Sequence, residues 1–193
     1  WQRLDQPDGF VPRTKQAFPY RKGLGIMMLD YDPGDDVLER MEVVRIFYKV
    51  CPGLDKTRFI WWPSSGSLIF EDDVEVIGLR GQRFYYFVSD ATDIPRAGMA
   101  LNTYLWAAGH GRIMISLSGS MLPRTLVDTA VWQGNHLDFA SGAECDPPYE
   151  QRRGDPKIQR VKEGNDGPLN TRTAIPNPDK ETQKLAAKNI AKA

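Results

Sequence analysis

The sequence predicts a mixed α/β (α+β) fold, and two observations support this prediction. Strand-length apolar runs alternate with segments that have the 3.6-residue period of a helix, and clusters of Pro, Gly and Ser separate them. The 193 residues, 41% of them hydrophobic and 26% charged, suffice for one substantial domain. We predict one folded domain over residues 1–150 and a basic extension or linker with a short terminal helix over residues 151–193.

The first strong segment is the apolar run of residues 26–29, which is typical of a strand buried on both faces. It continues into Asp30 and Asp32, and Pro33 with Gly34 ends it. Side chains two residues apart on a strand share a face, with Cα atoms about 6.5–7 Å apart. Both carboxylates can therefore bind one divalent cation or two adjacent ones, and such oxygen ligands favour Mg²⁺ or Mn²⁺. An acidic turn that caps the next helix is the alternative.

The next segment predicts a helix that begins near Asp36 and Glu39, a pair with the spacing of a capping box. Apolar residues at helical spacing continue to Cys51, and Pro52 with Gly53 ends the helix. An aromatic strand over residues 59–62 follows, and after it a loop rich in serine. Such a loop presents N–H groups and hydroxyls to phosphates, although many turns without a ligand have the same composition.

The rest of the chain continues the alternation of strands and helices. Asp93 and Pro95 predict the start of a second helix. Asp128 is a lone acid within an apolar stretch, which is unfavourable unless it is paired or bound to a cation. Asp179 is a candidate cap for a terminal helix. The remaining predicted strands cover residues 68–70, 74–77, 84–88, 113–117, 126–131 and 135–139.

The net charge of zero conceals a gradient along the chain. Residues 1–24 have five basic and two acidic residues, residues 151–193 have ten and five, and residues 25–150 have ten and eighteen. An acidic centre between basic arms fits a metal-dependent enzyme on an anionic polymer, and it also fits a solvated surface. The same two interpretations apply to the basic residues before the acidic strand, which are Arg13, Lys15, Arg21 and Lys22.

No apolar run approaches the roughly 20 residues of a membrane span, and no signal-peptide pattern is visible. Two cysteines, Cys51 and Cys145, form neither a metal motif nor a disulfide framework. We therefore predict a cytoplasmic protein without a membrane partner.

Several motifs follow one another in a fixed order, and their residue ranges are 29–32, 64–67, 80–85, 93–96, 109–116, 128, 137–139 and 150–153. This ordered set resembles the archaeo-eukaryotic primase superfamily, in the form of the primase–polymerase domains of phages, plasmids and other mobile elements. The resemblance covers roughly residues 13–155. It implies an RRM-like catalytic core with an additional N-terminal α/β unit.

The resemblance also implies an activity, which is template-directed nucleotidyl transfer by a DNA primase or DNA polymerase. Such an enzyme makes or extends primers on single-stranded DNA from dNTPs or NTPs, and it uses Mg²⁺ or Mn²⁺ in a two-metal mechanism. A helicase module or a replication initiator is the further partner it implies. A metal-dependent nuclease and a non-catalytic DNA-binding replication module are the competing hypotheses.

The resemblance assigns roles to individual residues. Asp30 and Asp32 match the metal-binding Asp-x-Asp, and Asp128 matches the third acid, with Asp138 as the competing candidate. Arg83 stands where the family usually has a histidine, and its guanidinium preserves phosphate binding but not proton transfer. The residues that match the family's nucleotide-binding stretch are Ser64, Ser65, Ser67, Arg80 and Arg83. Template contacts are expected from basic side chains and exposed aromatics such as Trp61, Trp62 or Tyr86, and packing in the core is the alternative, which is favoured for most of these aromatics.

Overall fold

The computed structural model describes residues 11–34, 36–159 and 167–193, and it confirms the mixed α+β class. The strands are β1 Gly25–Tyr31, β2 Phe59–Pro63, β3 Ile69–Glu71, β4 Val74–Ile77, β5 Gln82–Val88, β6 Gly111–Ile115, β7 Met121–Thr125, β8 Tyr149–Gln151 and β9 Lys157–Gln159. The helices are α1 Arg40–Val50, α2 Ile94–Ala107, α3 Thr171–Ala174 and α4 Lys180–Lys192. Short 3₁₀ helices lie at Pro52–Lys56, Ala91–Asp93 and Thr129–Trp132.

The central sheet has the strand order β1-β5-β2-β9, and all neighbouring strands are antiparallel. An isolated bridge between Tyr31 and Val127 adds residues 126–128 beside the end of β1, on the edge opposite to β5. The order across the sheet is therefore 126–128, β1, β5, β2 and β9. This arrangement places two segments that are distant in sequence directly beside the Asp-x-Asp.

The two faces of the central sheet differ. Side chains of β1, β2 and β5 alternate between the faces, and one set joins the buried side chains of α1 and α2 in the core. The largest members of this core are Tyr31, Tyr86, Phe47, Phe59 and Phe84. The other face has three cross-strand rows, which are Asp30–Arg83–Trp62, Met28–Tyr85–Ile60–Ile158 and Ile26–Phe87. We call it the open face, because Ile26, Phe87 and Ile158 are exposed on it.

This open face corrects one prediction, since β1 is not buried on both sides. Met27 and Leu29 are buried in the core, but Ile26 on the opposite face is 63% exposed. The apolar run of residues 26–29 correctly predicted the strand. It could not show that only part of the second face would be covered.

Helix α1 begins four residues after the predicted start. Its N-cap is Glu39, and the capping box pairs Glu39 with Glu42, whose carboxylate accepts the Glu39 N–H at 2.8 Å. The preceding residues are engaged elsewhere, because the Tyr31 hydroxyl accepts the Leu38 N–H at 2.9 Å and donates to the Asp36 carbonyl at 3.5 Å. Asp36 therefore lies outside the helix that it was expected to start.

Three further strand predictions need correction. The strand predicted at residues 113–117 is present as β6, but it is not buried as its apolar run indicated, because β6 pairs with β7 in a separate hairpin that exposes Ile115 and Leu117. Residues 135–139 form no strand and instead cross the open face as a loop. Of the predicted β segment at residues 126–131, only Val127 makes a bridge, and the 3₁₀ helix Thr129–Trp132 follows.

The C-terminal segment packs on the same fold. Strand β9 extends the central sheet beside β2, and β8 pairs with β3. The predicted terminal helix is confirmed as α4, whose cap Asp179 accepts the Thr182 N–H at 2.7 Å. It lies on α2, where Asn189 donates to the carbonyls of Trp106 and Ala107. The predicted division at residue 150 stays a prediction.

Residues 11–24 form turns and contain neither a helix nor a strand, and the N-terminal α/β unit stays a prediction. Residues 1–10 lie outside the described ranges. Among the helices of the described residues, none combines the length and apolar character that a membrane crossing requires.

Candidate functional site

Tyr31 fixes the orientation of the two predicted metal ligands on either side of it. Its side chain is 1% exposed in the core, and its hydroxyl is held by the Leu38 backbone N–H. Because side chains alternate along a strand, this anchor turns Asp30 and Asp32 to the opposite face. Burial of the large aromatic ring stabilises this arrangement by roughly 2–3 kcal/mol.

Asp128 is placed beside Asp30 by backbone hydrogen bonds. The Asp128 N–H donates to the Asp30 carbonyl at 2.9 Å, and the Asp32 N–H donates to the Leu126 carbonyl at 3.0 Å. Directly opposed residues of an antiparallel pair present their side chains on one face. Asp128 therefore faces the same side as Asp30, as the third acid of the motif is expected to do.

The Asp128 carboxylate also has local partners in this structure. Its Oδ1 accepts the Ala130 N–H at 3.0 Å and caps the 3₁₀ helix that follows. The Arg124 guanidinium donates to the same oxygen at 3.0 Å. This pairing explains why an acid is tolerated in the apolar stretch around residue 128.

All three predicted metal ligands line one cavity of about 280 Å³, which we call the acidic cavity. Two of the predicted nucleotide-binding residues, Ser64 and Arg80, line the same cavity. The complete lining consists of Asp30, Tyr31, Asp32, Pro33, Ser64, Gly66, Arg80, Gly81 and Asp128. The structure thus brings together five of the eight predicted site residues.

The serine loop is held by its own hydrogen bonds. Ser67 is fully buried, and its hydroxyl accepts the Arg80 N–H at 3.1 Å and lies 3.1 Å from the Ser64 hydroxyl. Gly81 packs against Ser64 so closely that an added Cβ would lie 3.0 Å from the serine oxygen. Ser67 therefore shapes the loop, whereas Ser64 lines the cavity. Ser65 contributes its carbonyl to a bond from the Gln151 amide.

Arg83 lines a different cavity of about 370 Å³, which lies on the open face. We call it the arginine cavity, and Asp30 is common to the walls of both cavities. Its lining consists of Arg13, Met28, Asp30, Arg83, Gln133, Asn135, His136, Leu137, Asp138 and Phe139. The predicted nucleotide-binding residues are therefore divided between two neighbouring cavities.

The Arg83 guanidinium is held by the loop that crosses the open face. Its NH1 donates to the Phe139 carbonyl at 2.8 Å and lies 3.2 Å from the Asp138 carboxylate. A second arginine, Arg153, binds the same loop through the Ala140 carbonyl at 2.9 Å and lies 3.9 Å above the Trp62 ring. Repulsion from Arg83 adds to burial in lowering the pKa of Arg153.

Asp30 lines both cavities, and its pKa is shifted from the ordinary value of an aspartate. Burial raises the pKa of Asp30 to about 6, and the positive charge of Arg83 opposes this shift. Three neighbouring carboxylates add to the shift, namely Asp128, Asp138 and Asp32. A divalent cation relieves this kind of repulsion, so the electrostatics favour cation binding at Asp30.

The donor set suits Mg²⁺ or Mn²⁺ chemically. Asp30, Asp32 and Asp128 offer hard oxygen ligands, and Mg²⁺ is commonly held by one or two carboxylates together with substrate phosphates. Within the described ranges, no three side chains of His, Cys, Asp or Glu come close enough together to hold one metal ion. The three carboxylates therefore line one cavity without forming a complete set of ligands for a single ion.

The expected template contacts are only partly accessible. Tyr86 is 0% exposed in the core, so its proposed contact with a template is wrong. Trp61 donates to the Gln82 side chain at 2.9 Å and lies under the Arg40 guanidinium. Trp62 lies on the open face in the same row as Asp30 and Arg83.

Sequence reasoning missed several residues of the site. His136 and Asn135 line the arginine cavity, and Arg112 donates to the Asp32 carbonyl at 3.3 Å. The first two were assigned to a strand, and nothing in their spacing indicated a cavity. Arg112 and Arg124 lie opposite each other on β6 and β7. Arg112 contacts the Asp32 carbonyl and Arg124 contacts the Asp128 carboxylate, so this pair of basic residues lies beside the acids.

Comparisons of this chain with protein-family models, with curated proteins and with solved structures find no match.

Proposed function

We propose that this chain is a nucleotidyltransferase that works on a single-stranded DNA template, as a DNA primase, a DNA polymerase or both. The observation that carries this proposal is the convergence of Asp30, Asp32 and Asp128 on one cavity with Ser64 and Arg80. Carboxylates on one side and phosphate-binding groups on the other are what transfer of a nucleotidyl group requires.

The topology supports an RRM-like core as part of this proposal. The chain order β1, α1, β2, β5, α2 and then residues 126–128 follows a β-α-β-β-α-β pattern. These strands lie in the spatial order 126–128, β1, β5 and β2, with the helices on one face. Asp30 then lies on β1 and Asp128 on the edge segment directly beside it, and the backbone hydrogen bond between these two residues holds their side chains on one face.

The proposed mechanism assigns a role to each group of the acidic cavity. Asp30, Asp32 and Asp128 would hold Mg²⁺ or Mn²⁺, which when bound supplies charge neutralisation at the reacting phosphate. Arg80 and the Ser64 hydroxyl bind and orient the phosphates of the incoming nucleotide. Asp30, with its raised pKa, binds a cation more readily as the pH increases through about 6, because the ligand form is the carboxylate.

The test is incorporation of labelled dNTPs and NTPs on single-stranded DNA with Mg²⁺ or Mn²⁺, with and without a supplied primer. We expect wild-type products that disappear in the Asp30→Ala/Asp32→Ala variant. The matched control is Glu144→Ala/Asp146→Ala, which removes two carboxylates of the same spacing from exposed positions outside both cavities. Unprimed products indicate a primase. Cutting of the template without incorporation would instead establish a nuclease.

A non-catalytic DNA-binding module is the second candidate. The pairing of the Asp128 carboxylate with Arg124 and Ala130 favours it, because these contacts occupy a proposed metal ligand. This candidate predicts that the wild-type chain binds single-stranded DNA and neither incorporates nucleotides nor cuts the template. The same assay therefore separates the two candidates.

A further inference from the structure

The Arg83 guanidinium is already occupied by an anion of its own chain. Its NH1 lies 3.2 Å from the Asp138 carboxylate and donates to the Phe139 carbonyl, and the side chain is 9% exposed. A ligand phosphate needs the same donors, because carboxylate and phosphate oxygens bind a guanidinium in the same geometry. In this arrangement Arg83 cannot make a phosphate contact through NH1.

Asp138 is held in place by a second contact and is otherwise lightly packed. The Tyr85 hydroxyl donates to its other carboxylate oxygen at 2.8 Å. The Asp138 side chain is 33% exposed and belongs to a loop without regular secondary structure. Such a partly exposed ion pair is weak compared with a buried one, so a competing anion can displace it.

The arginine cavity also has polar atoms that lack partners. Arg83 Nε and Asn135 Oδ1 are buried and have no hydrogen-bond partner among the residues that the structure describes. Both residues line the cavity of about 370 Å³. A buried donor and a buried acceptor without partners are unfavourable. A ligand with phosphate oxygens and hydroxyl or amino groups would satisfy both.

We propose that Asp138 is an internal competitor for phosphate at Arg83, and that a nucleoside triphosphate binds the arginine cavity by displacing it. The loop of residues 137–139 then works as a latch that occupies the Arg83 guanidinium when no nucleotide is bound. The identity of the ligand rests on the function proposed above. The competition itself rests on the contacts of Arg83, Asp138 and Tyr85.

The test is calorimetric titration of inorganic tripolyphosphate and of a dNTP into metal-free protein. We expect Asp138→Asn to bind both ligands about five- to tenfold more tightly, the factor that one weak ion pair and one hydrogen bond contribute. Tyr85→Phe retains the carboxylate but loosens it, and it should tighten binding about twofold. Glu144→Gln, which removes an exposed charge outside both cavities, should leave binding unchanged.

A double-mutant cycle shows whether the effect acts through Arg83. In an Arg83→Gln background, the tightening caused by Asp138→Asn should disappear, because the anion then has no guanidinium to compete for. Equal or weaker binding in Asp138→Asn, with an unchanged unfolding transition, would overturn the proposal. Weaker binding in Tyr85→Phe has the same consequence, and this variant decides the question if Asp138→Asn does not fold.

Nucleotide incorporation measured in parallel separates the two proposals. If wild-type protein incorporates nucleotides but Asp138→Asn does not tighten binding, the latch is wrong and the proposed function stands. If Asp138→Asn tightens tripolyphosphate binding but no variant incorporates nucleotides, the latch stands and nucleotidyl transfer is wrong.

Discussion

The two cavities that Asp30 lines have similar volumes, but they differ in how far basic side chains balance their acidic ones. In the acidic cavity, Asp30, Asp32 and Asp128 gather with a single arginine side chain, Arg80, in the lining. In the arginine cavity, Arg83 and Arg13 accompany Asp30 and Asp138, and an ion pair joins Arg83 to Asp138. Among its lining residues the first cavity therefore has an excess of negative charge, which the Arg124–Asp128 ion pair partly offsets, whereas the second has both signs in equal number.

This difference suggests that the two cavities have different tasks. An excess of carboxylates attracts cations, and burial, with smaller contributions from the neighbouring carboxylates, raises the pKa of Asp30, which lines both cavities. A balanced ion pair has little affinity for ions until one partner is displaced. The acidic cavity is therefore suited to the chemical step, and the arginine cavity is suited to the control of ligand binding. The predictions below test this division.

The largest expected effect distinguishes Asp128 from Asp138 as the third acid. We expect Asp128→Asn to lower kcat for nucleotide incorporation by about 10²–10³, because it removes a ligand from the chemical step. Asp138→Asn should instead lower KM for the nucleotide and leave kcat near the wild-type value. Steady-state kinetics with saturating template measure both constants. If Asp138→Asn loses kcat while Asp128→Asn retains it, the roles of the two acids are reversed.

The next effect concerns the stability of the metal-free protein. The pKa of Asp30 is raised from 3.8 to about 6, so the folded state disfavours its ionised form. Wild-type stability should therefore fall as the pH rises from about 4 to about 6. Asp30→Asn lacks this loss and should be roughly 2–3 kcal/mol more stable above pH 6, with no advantage below pH 4.

Urea unfolding in EDTA between pH 4 and pH 8 measures this difference. Asp32→Asn is the matched control, because it removes an exposed carboxylate from the same strand end and should change stability little. Added Mn²⁺ should stabilise the wild-type protein and have less effect on Asp30→Asn. A pH-independent difference between Asp30→Asn and wild type would contradict the prediction.

The parts of the fold that the sequence predicted are those that local signals determine. Strand β1 ends at Tyr31, just before Pro33 and Gly34, α2 begins at Ile94 with Pro95 in its first turn, and α4 follows Asp179, as their residue patterns indicated. These signals depend on the residues themselves and their immediate neighbours. The alternation of side chains along a strand, which is also a local property, correctly predicted that Asp30 and Asp32 share one face.

The errors arose where distant contacts decide the structure. The start of α1 is set by the hydroxyl of Tyr31, and the loop of residues 135–139 is held by Arg83 and Arg153. The separation of Arg83 from Ser64 depends on the register between β1 and β5, which pairs Asp30 with Arg83. A sequence pattern specifies the alternation of a strand but not the partner that lies beside it.

The smallest expected effect separates two residues of the serine loop, Ser64 and Ser67. Ser67→Ala removes the oxygen that accepts the Arg80 N–H, and it should lower the free energy of unfolding by about 1–2 kcal/mol. Ser64 lines the cavity, so Ser64→Ala should raise KM for the nucleotide about two- to fivefold with a smaller loss of stability. Urea unfolding and steady-state kinetics on both variants check this. If Ser64→Ala leaves KM unchanged, the serine loop only shapes the wall, and Arg80 remains the phosphate-binding group of the acidic cavity.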